Sequence, residues 1–112
     1  MIQIEEKSGI LVARFKEGDR FNALIAEPVK ETLLSHLGKE GTNMIMDLQG
    51  IKFIDSSGFG VFISAMKAAK NNAGEFKICN LNPEVKELFQ ILQLHHVFEL
   101  HDTLEECIGS FQ

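Results

Sequence analysis

The period of the apolar positions changes several times along the chain, and each change marks an element. Ile2 and Ile4 alternate with polar neighbours, Lys7-Ser8-Gly9 offers a turn, and Ile10 to Phe15 is rich in apolar residues, which predicts a β-hairpin. Glu17 to Asn22 reads as a polar loop. The spacing then becomes helical: Ala26, Val29, Leu33 and Leu37 share one face, Pro28 suits the first turn, and Gly38 and Gly41 end the segment. Thr42 to Leu48 predicts a strand, and its consecutive Met44, Ile45 and Met46 imply burial on both faces, as at the centre of a sheet.

In the second half, an apolar strand segment at Phe53-Ile54 gives way to a helix. Asp55 is a favourable N-cap, and Phe59, Phe62, Ile63, Met66 and Ala69 recur at helical spacing to about Asn71, where Asn72-Ala73-Gly74 stops the pattern. The face away from the core carries Gly60, Ser64, Lys67 and Asn71, with Ser56 one turn upstream. Phe76 to Leu81 predicts a strand, and Asn82-Pro83 a cap and first turn before Val85, Leu88, Phe89 and Leu92. Val97 to Leu100 predicts a short strand. Asp102-Thr103-Leu104-Glu105 has the form of a capping box for a last helix with Leu104, Cys107, Ile108 and Phe111 on its apolar face. No repeat or linker divides the chain, so residues 1–112 read as one domain of α/β class. The expected sheet is mixed, an opening β-hairpin followed by parallel strands, flanked by about four helices.

Composition narrows the function. The 112 residues are 45% hydrophobic and 24% charged, ordinary usage for a globular chain long enough to bury its own core. The formal charge is −5 with no Lys/Arg cluster, which argues against nucleic acid and against an anionic membrane surface. No apolar run reaches membrane-spanning length and no charged leader precedes an apolar core, so no membrane insertion and a cytoplasmic location are expected. Cys79 and Cys107 each fall on an apolar face and read as reduced, buried thiols. The nine Phe, without Trp or Tyr, read as core filling.

Ser56 and Ser57 fall in the first turn of the predicted helix. The first N–H groups of a helix lack intrahelical acceptors and carry partial positive charge, so an oxyanion or phosphate on either hydroxyl is tolerated there. The competing reading is that Asp-Ser-Ser-Gly is a good helix start with no other duty. A serine hydrolase would need glycine on both sides of the nucleophile, but Ile54 stands two residues before Ser56 and Asp55 two before Ser57. A base could come from His36, His95, His96 or His101, but nothing in the spacing assigns one, and His95, His96, His101 and a cysteine show no metal-ligand spacing. Gly58-Phe59-Gly60 is not a nucleotide loop, since Ile63 stands where a third glycine belongs; its small residues suit a surface low enough for another protein to approach. Asp47 ends a strand and Asp55 caps a helix, so structural roles are favoured over an acid/base pair.

The run Asn43-Met44-Ile45-Met46-Asp47-Leu48, then Gly50, then Phe53-Ile54-Asp55-Ser56-Ser57-Gly58-Phe59-Gly60, resembles the signature of the STAS domain as found in bacterial anti-sigma factor antagonists. Gly74 to Cys79, then Pro83, Val85, Leu88 and Phe89, are similar to the family's next strand and helix. The resemblance implies that Ser56 is phosphorylated by a partner kinase, with Ser57 as a second candidate and Asp55 and Gly58 supporting the site. It implies a partner that is an anti-sigma factor with serine kinase activity, bound by the unphosphorylated protein and released on modification, and a metal-dependent serine phosphatase that resets the cycle. The antagonist itself is then a binding module with no catalysis and no cofactor. Partner contacts are expected from Ser57, Gly60, Ser64 and Lys67. They are also expected from Arg20 and Asn22, in a loop that departs from the family. Its Gly18-Asp19-Arg20-Phe21-Asn22 is one residue longer and has Asn where Asp is usual. Two other readings stay open: a STAS scaffold subunit in a larger signalling or transport assembly, and a small hydrolase using Ser56 or Ser57. A homodimer is neither required nor excluded.

Overall fold

The computed structural model describes residues 1–111; Gln112, the last residue of the predicted domain, lies outside the described residues. The predicted hairpin is present as β1 (Ile2–Lys7) and β2 (Ile10–Phe15), joined through Ser8 and Gly9, both at positive φ. Parallel strands β4 (Asn43–Asp47), β6 (Glu75–Cys79) and β7 (Leu100–His101) extend the sheet in the order β1-β2-β4-β6-β7. Leu11 pairs with Met44 and Met44 with Phe76, so β4 is central and its Met44, Ile45 and Met46 are fully buried.

Four α-helices occur among the described residues: α1 (Ala23–Leu37), α2 (Ser56–Asn71), α3 (Pro83–Ile91) and α4 (Leu104–Gly109). Side chains alternate across a strand. Met44, Met46, Phe76 and Ile78 therefore meet α1, α2 and α3 in the main core, whereas Ile45 and Cys79 meet Cys107, Leu104 and Ile108 of α4 on the other face. Phenylalanine rings run through the main core from Phe15 to Phe21, Phe62, Phe76, Phe98, Phe89 and Phe59, with neighbouring centroids 5.0 to 6.5 Å apart.

Several local expectations are corrected. The Glu17–Asn22 segment is not all loop: Arg20–Phe21 forms β3, which pairs in parallel with β5 (Phe53–Ile54) in a separate two-stranded sheet. A two-residue strand leaves no periodicity to read. Pro28 is not in the first turn of α1, because Asn22 caps the helix and Ala23 begins it. The carbonyl that Pro28 cannot satisfy belongs to Leu24, at an exposed turn open to solvent, where a lost helical bond costs least. Leu92 is exposed rather than packed, since α3 ends at Ile91 and a 3₁₀ turn follows at Leu94–His96. That turn sends Phe98 into the core and delays the last strand from Val97–Leu100 to Leu100–His101. The cap of α4 is Thr103, whose hydroxyl accepts from the Glu106 N–H, one residue later than the predicted box.

Candidate functional site

The small sheet of β3 and β5 builds a frame in which two helices begin side by side. Arg20 is in register with Phe53 and Phe21 with Ile54, and the frame is extended by Lys52 and Phe53 N–H donating to the Asp19 carbonyl and Asp55 N–H to the Phe21 carbonyl. Asn22 and Asp55 leave the two strands in extended conformation, each ready to cap the helix that follows. Asn22 Oδ1 accepts from Leu24 N–H at 3.1 Å. Asp55 serves both helices: its Oδ1 accepts from Gly58 N–H in α2 and its Oδ2 from Ala23 N–H in α1, each at 3.1 Å.

Ser56 is the first residue of α2 and is exposed; Ser57 is half-buried. Both lie where the positive ends of two helix dipoles come together, with the Asp55 carboxylate between them. The arrangement suits an added anion on Ser56, which projects to solvent. Ser57 lines a shallow groove of about 430 Å³ between α1 and α2, together with Gly60, Ser64, Ala26 and Lys30. Lys67 lies one turn beyond Ser64 on the same helix and is exposed. Gly58 does not contribute to a low outer surface. It is buried, and a Cβ there would stand 2.7 Å from Ile54 Cγ2 and 2.9 Å from the Phe21 carbonyl, so its smallness lets α2 close against the β3–β5 frame.

Arg20 and Asn22, separated from the serines by more than thirty residues in sequence, reach the site through that frame. Arg20 lies over the Phe53 ring at 5.5 Å and approaches Asp19 only at 4.0 Å, both side chains being largely exposed. Two apolar residues here escaped the sequence reading. Phe53 is 43% exposed and Leu24 is 86% exposed, although Phe53 follows the pattern of a core strand. The only cue was that Phe53 stands between Lys52 and the cap, in a segment too short to be covered on both faces.

Other candidate chemistry lies elsewhere. Asp47 is buried, with Oδ2 paired to Arg14 at 3.0 Å and Oδ1 accepting from Asn80 and Gln49 N–H, so both oxygens are engaged. His36 is in the last turn of α1, His95 and His96 stack on each other, and His101 is held by Glu99. Cys79 and Cys107 are free, buried thiols on the α4 side of the sheet; their shared hydrogen bond and burial push the Cys79 thiol well above its ordinary range. Among the described residues no helix is long and apolar enough to cross a membrane.

The STAS domain profile matches residues 1–107. The chain belongs to the STAS domain family. The anti-sigma-B factor antagonist of Listeria monocytogenes is 30% identical over 109 residues, spanning 97% of this chain and 95% of that one. Among solved structures, the STAS domain protein of Planctomyces limnophilus superposes with a TM-score of 0.89 at 22% identity, covering 97% of this chain and 96% of that one. The Bacillus cell fate determinant SpoIIAA in its phosphorylated form superposes with a TM-score of 0.71 at 20% identity, each chain covered in full. The mixed sheet and helix order described above are therefore those of the STAS fold.

Proposed function

We propose that this STAS protein is an anti-sigma factor antagonist that binds an anti-sigma factor with serine kinase activity and is released when that kinase phosphorylates Ser56. The observation that carries the reading is the placement of an exposed serine at the first position of α2, next to a frame whose β5 carries the exposed Phe53 and whose cap Asp55 also holds the start of α1, where Leu24 is exposed. Ser56 is favoured over Ser57 because it is open to an incoming kinase, while Ser57 sits at the mouth of the α1–α2 groove. The names of its relatives support an anti-sigma factor as the partner, and a neighbour of the same fold exists in a phosphorylated form. The contact surface comprises Ser57, Gly60, Ser64 and Lys67 along α2, with Arg20, Asn22 and Leu24 beside them. Under this reading the protein works in the cytoplasm and performs no catalysis of its own, and a serine phosphatase restores the binding form.

Magnitudes explain why such a modification switches an interface rather than the fold. A phosphate adds about −1.5 to −2 charge, and a helix N-terminus stabilises it by only about 0.3–1 kcal/mol, up to ~2 in favourable geometry. Against a carboxylate about 6 Å away the dianion is repelled by roughly 1.4 kcal/mol in water, rising to ~5.5 kcal/mol at the effective dielectric of a docked surface. A loss of roughly 4 kcal/mol is a thousandfold in affinity. The test is calorimetric titration of the anti-sigma factor with unmodified protein, Ser56→Ala, and protein carrying phosphoserine at position 56. Unmodified protein and Ser56→Ala are expected to bind alike and the phosphoserine form about a thousandfold more weakly. Equal affinity for all three would instead support the scaffold role.

A further inference from the structure

The amides of Ala23 and Gly58 belong to different helices yet donate to the two oxygens of one carboxylate, each at 3.1 Å. We propose that Asp55 is a positioning residue through which the phosphorylation state of Ser56 is passed to the start of α1. The inference rests on the phosphorylation reading above and adds to it the route by which the modification alters the partner-facing surface beyond its own charge.

The residue type fits the task. First-turn N–H groups have no intrahelical acceptor, and a carboxylate offers two acceptor oxygens and no donor, so it can satisfy one such group in each of two helices. Asparagine at position 55 would turn an NH₂ against one of those N–H groups, and serine would reach one helix only. A phosphate on Ser56 is a like charge on the adjacent residue. It also competes for the free N–H groups of the same first turn of α2. A carboxylate driven away from that dianion gives up one of its two bonds, and the bond to Ala23 is the one that leaves its own helix. The next residue, Leu24, is the most exposed large apolar side chain among the described residues, so a shift at Ala23 moves the surface offered to a partner. The backbone bonds to the Asp19 and Phe21 carbonyls keep β3 and β5 in register and confine the change to the first turn of α1.

The measurement is amide hydrogen exchange and chemical shift by NMR on the full chain, with serine or genetically encoded phosphoserine at position 56. Phosphorylation is expected to move the Ala23 resonance and raise its exchange rate about tenfold, the scale of one lost hydrogen bond, while the amides of β4 and β6 stay unchanged. In Asp55→Ser, which keeps a good cap on α2 but cannot span both helices, Ala23 is expected to exchange fast from the outset and to respond less than about twofold to the phosphate. Asp55→Asn serves as a second variant if the first does not fold. An Ala23 amide that ignores phosphorylation in the wild type, or responds equally in the variant, overturns the coupling. Partner affinity separates the two readings: affinity that falls while Ala23 is silent keeps the switch and removes the coupling, whereas affinity that holds while Ala23 responds does the reverse.

Discussion

Two glycines two residues apart illustrate what a single atom decides at this site. Gly58 faces Ile54 and Phe21 at less than 3.0 Å from where a Cβ would stand, whereas nothing lies within 4 Å of the same point at Gly60. Gly58→Ala should therefore cost about 1–3 kcal/mol by forcing α2 off the β3–β5 frame, read as a lower urea midpoint. Gly60→Ala should gain roughly 0.5–1 kcal/mol because alanine loses less backbone freedom in a helix. Under the proposed function the more stable Gly60→Ala protein nonetheless binds the anti-sigma factor more weakly, since the added methyl raises the floor of the α1–α2 groove. The sequence shows Gly58-Phe59-Gly60 as a symmetric pair. Helical phase would have separated them, Gly58 standing four residues before the buried Phe62, but a glycine carries no hydrophobic signal that would prompt the question.

Elements with strong periodicity were legible, and those defined by their partners were not. The start of α2 at Ser56 and its end at Asn71 follow from the Asp55 cap, the apolar face and the Asn72-Ala73-Gly74 stop. The helix α4 has only six residues, too few to persist alone, and depends on tertiary anchors. The buried Lys77 supplies several: its Nζ donates to the Ser110 carbonyl at 3.0 Å and hydroxyl at 2.9 Å, pairs with Glu99 at 3.0 Å, and lies 4.2 Å from the centre of the Phe111 ring. Burial would raise Glu99, but hydrogen bonds from His101 and Lys77 outweigh it and hold the carboxyl below its ordinary range. A carboxyl lowered in the folded state contributes stability above its unfolded value of about 4.3, and that contribution is lost as pH falls through the lower folded value. Glu99 is half exposed, so solvent limits the contribution to under about 1 kcal/mol. The expected result is that wild-type stability falls more steeply than that of Glu99→Gln below about pH 4, followed by urea unfolding.

Across the whole molecule, alternation of strand and helix after the opening hairpin was enough to reach the mixed sheet, because parallel neighbours need a helical crossover and crossovers have one hand. It could not show that three helices cover one face while α4 alone covers part of the other, nor that β3 and β5 leave the main sheet to pair with each other. Under the proposed function, that small separate sheet acts as a detachable specificity cassette. The segments 19–24 and 53–58 hold one another by their own hydrogen bonds, so their outward residues are free to diverge while the core beneath stays fixed. Exchanging both segments together with those of a relative should keep the melting temperature within a few degrees and transfer partner preference, whereas exchanging either alone should lower it by mismatching the frame. Under the proposed function, lineages carrying this fold would then acquire new partners by paired change at two short stretches of sequence.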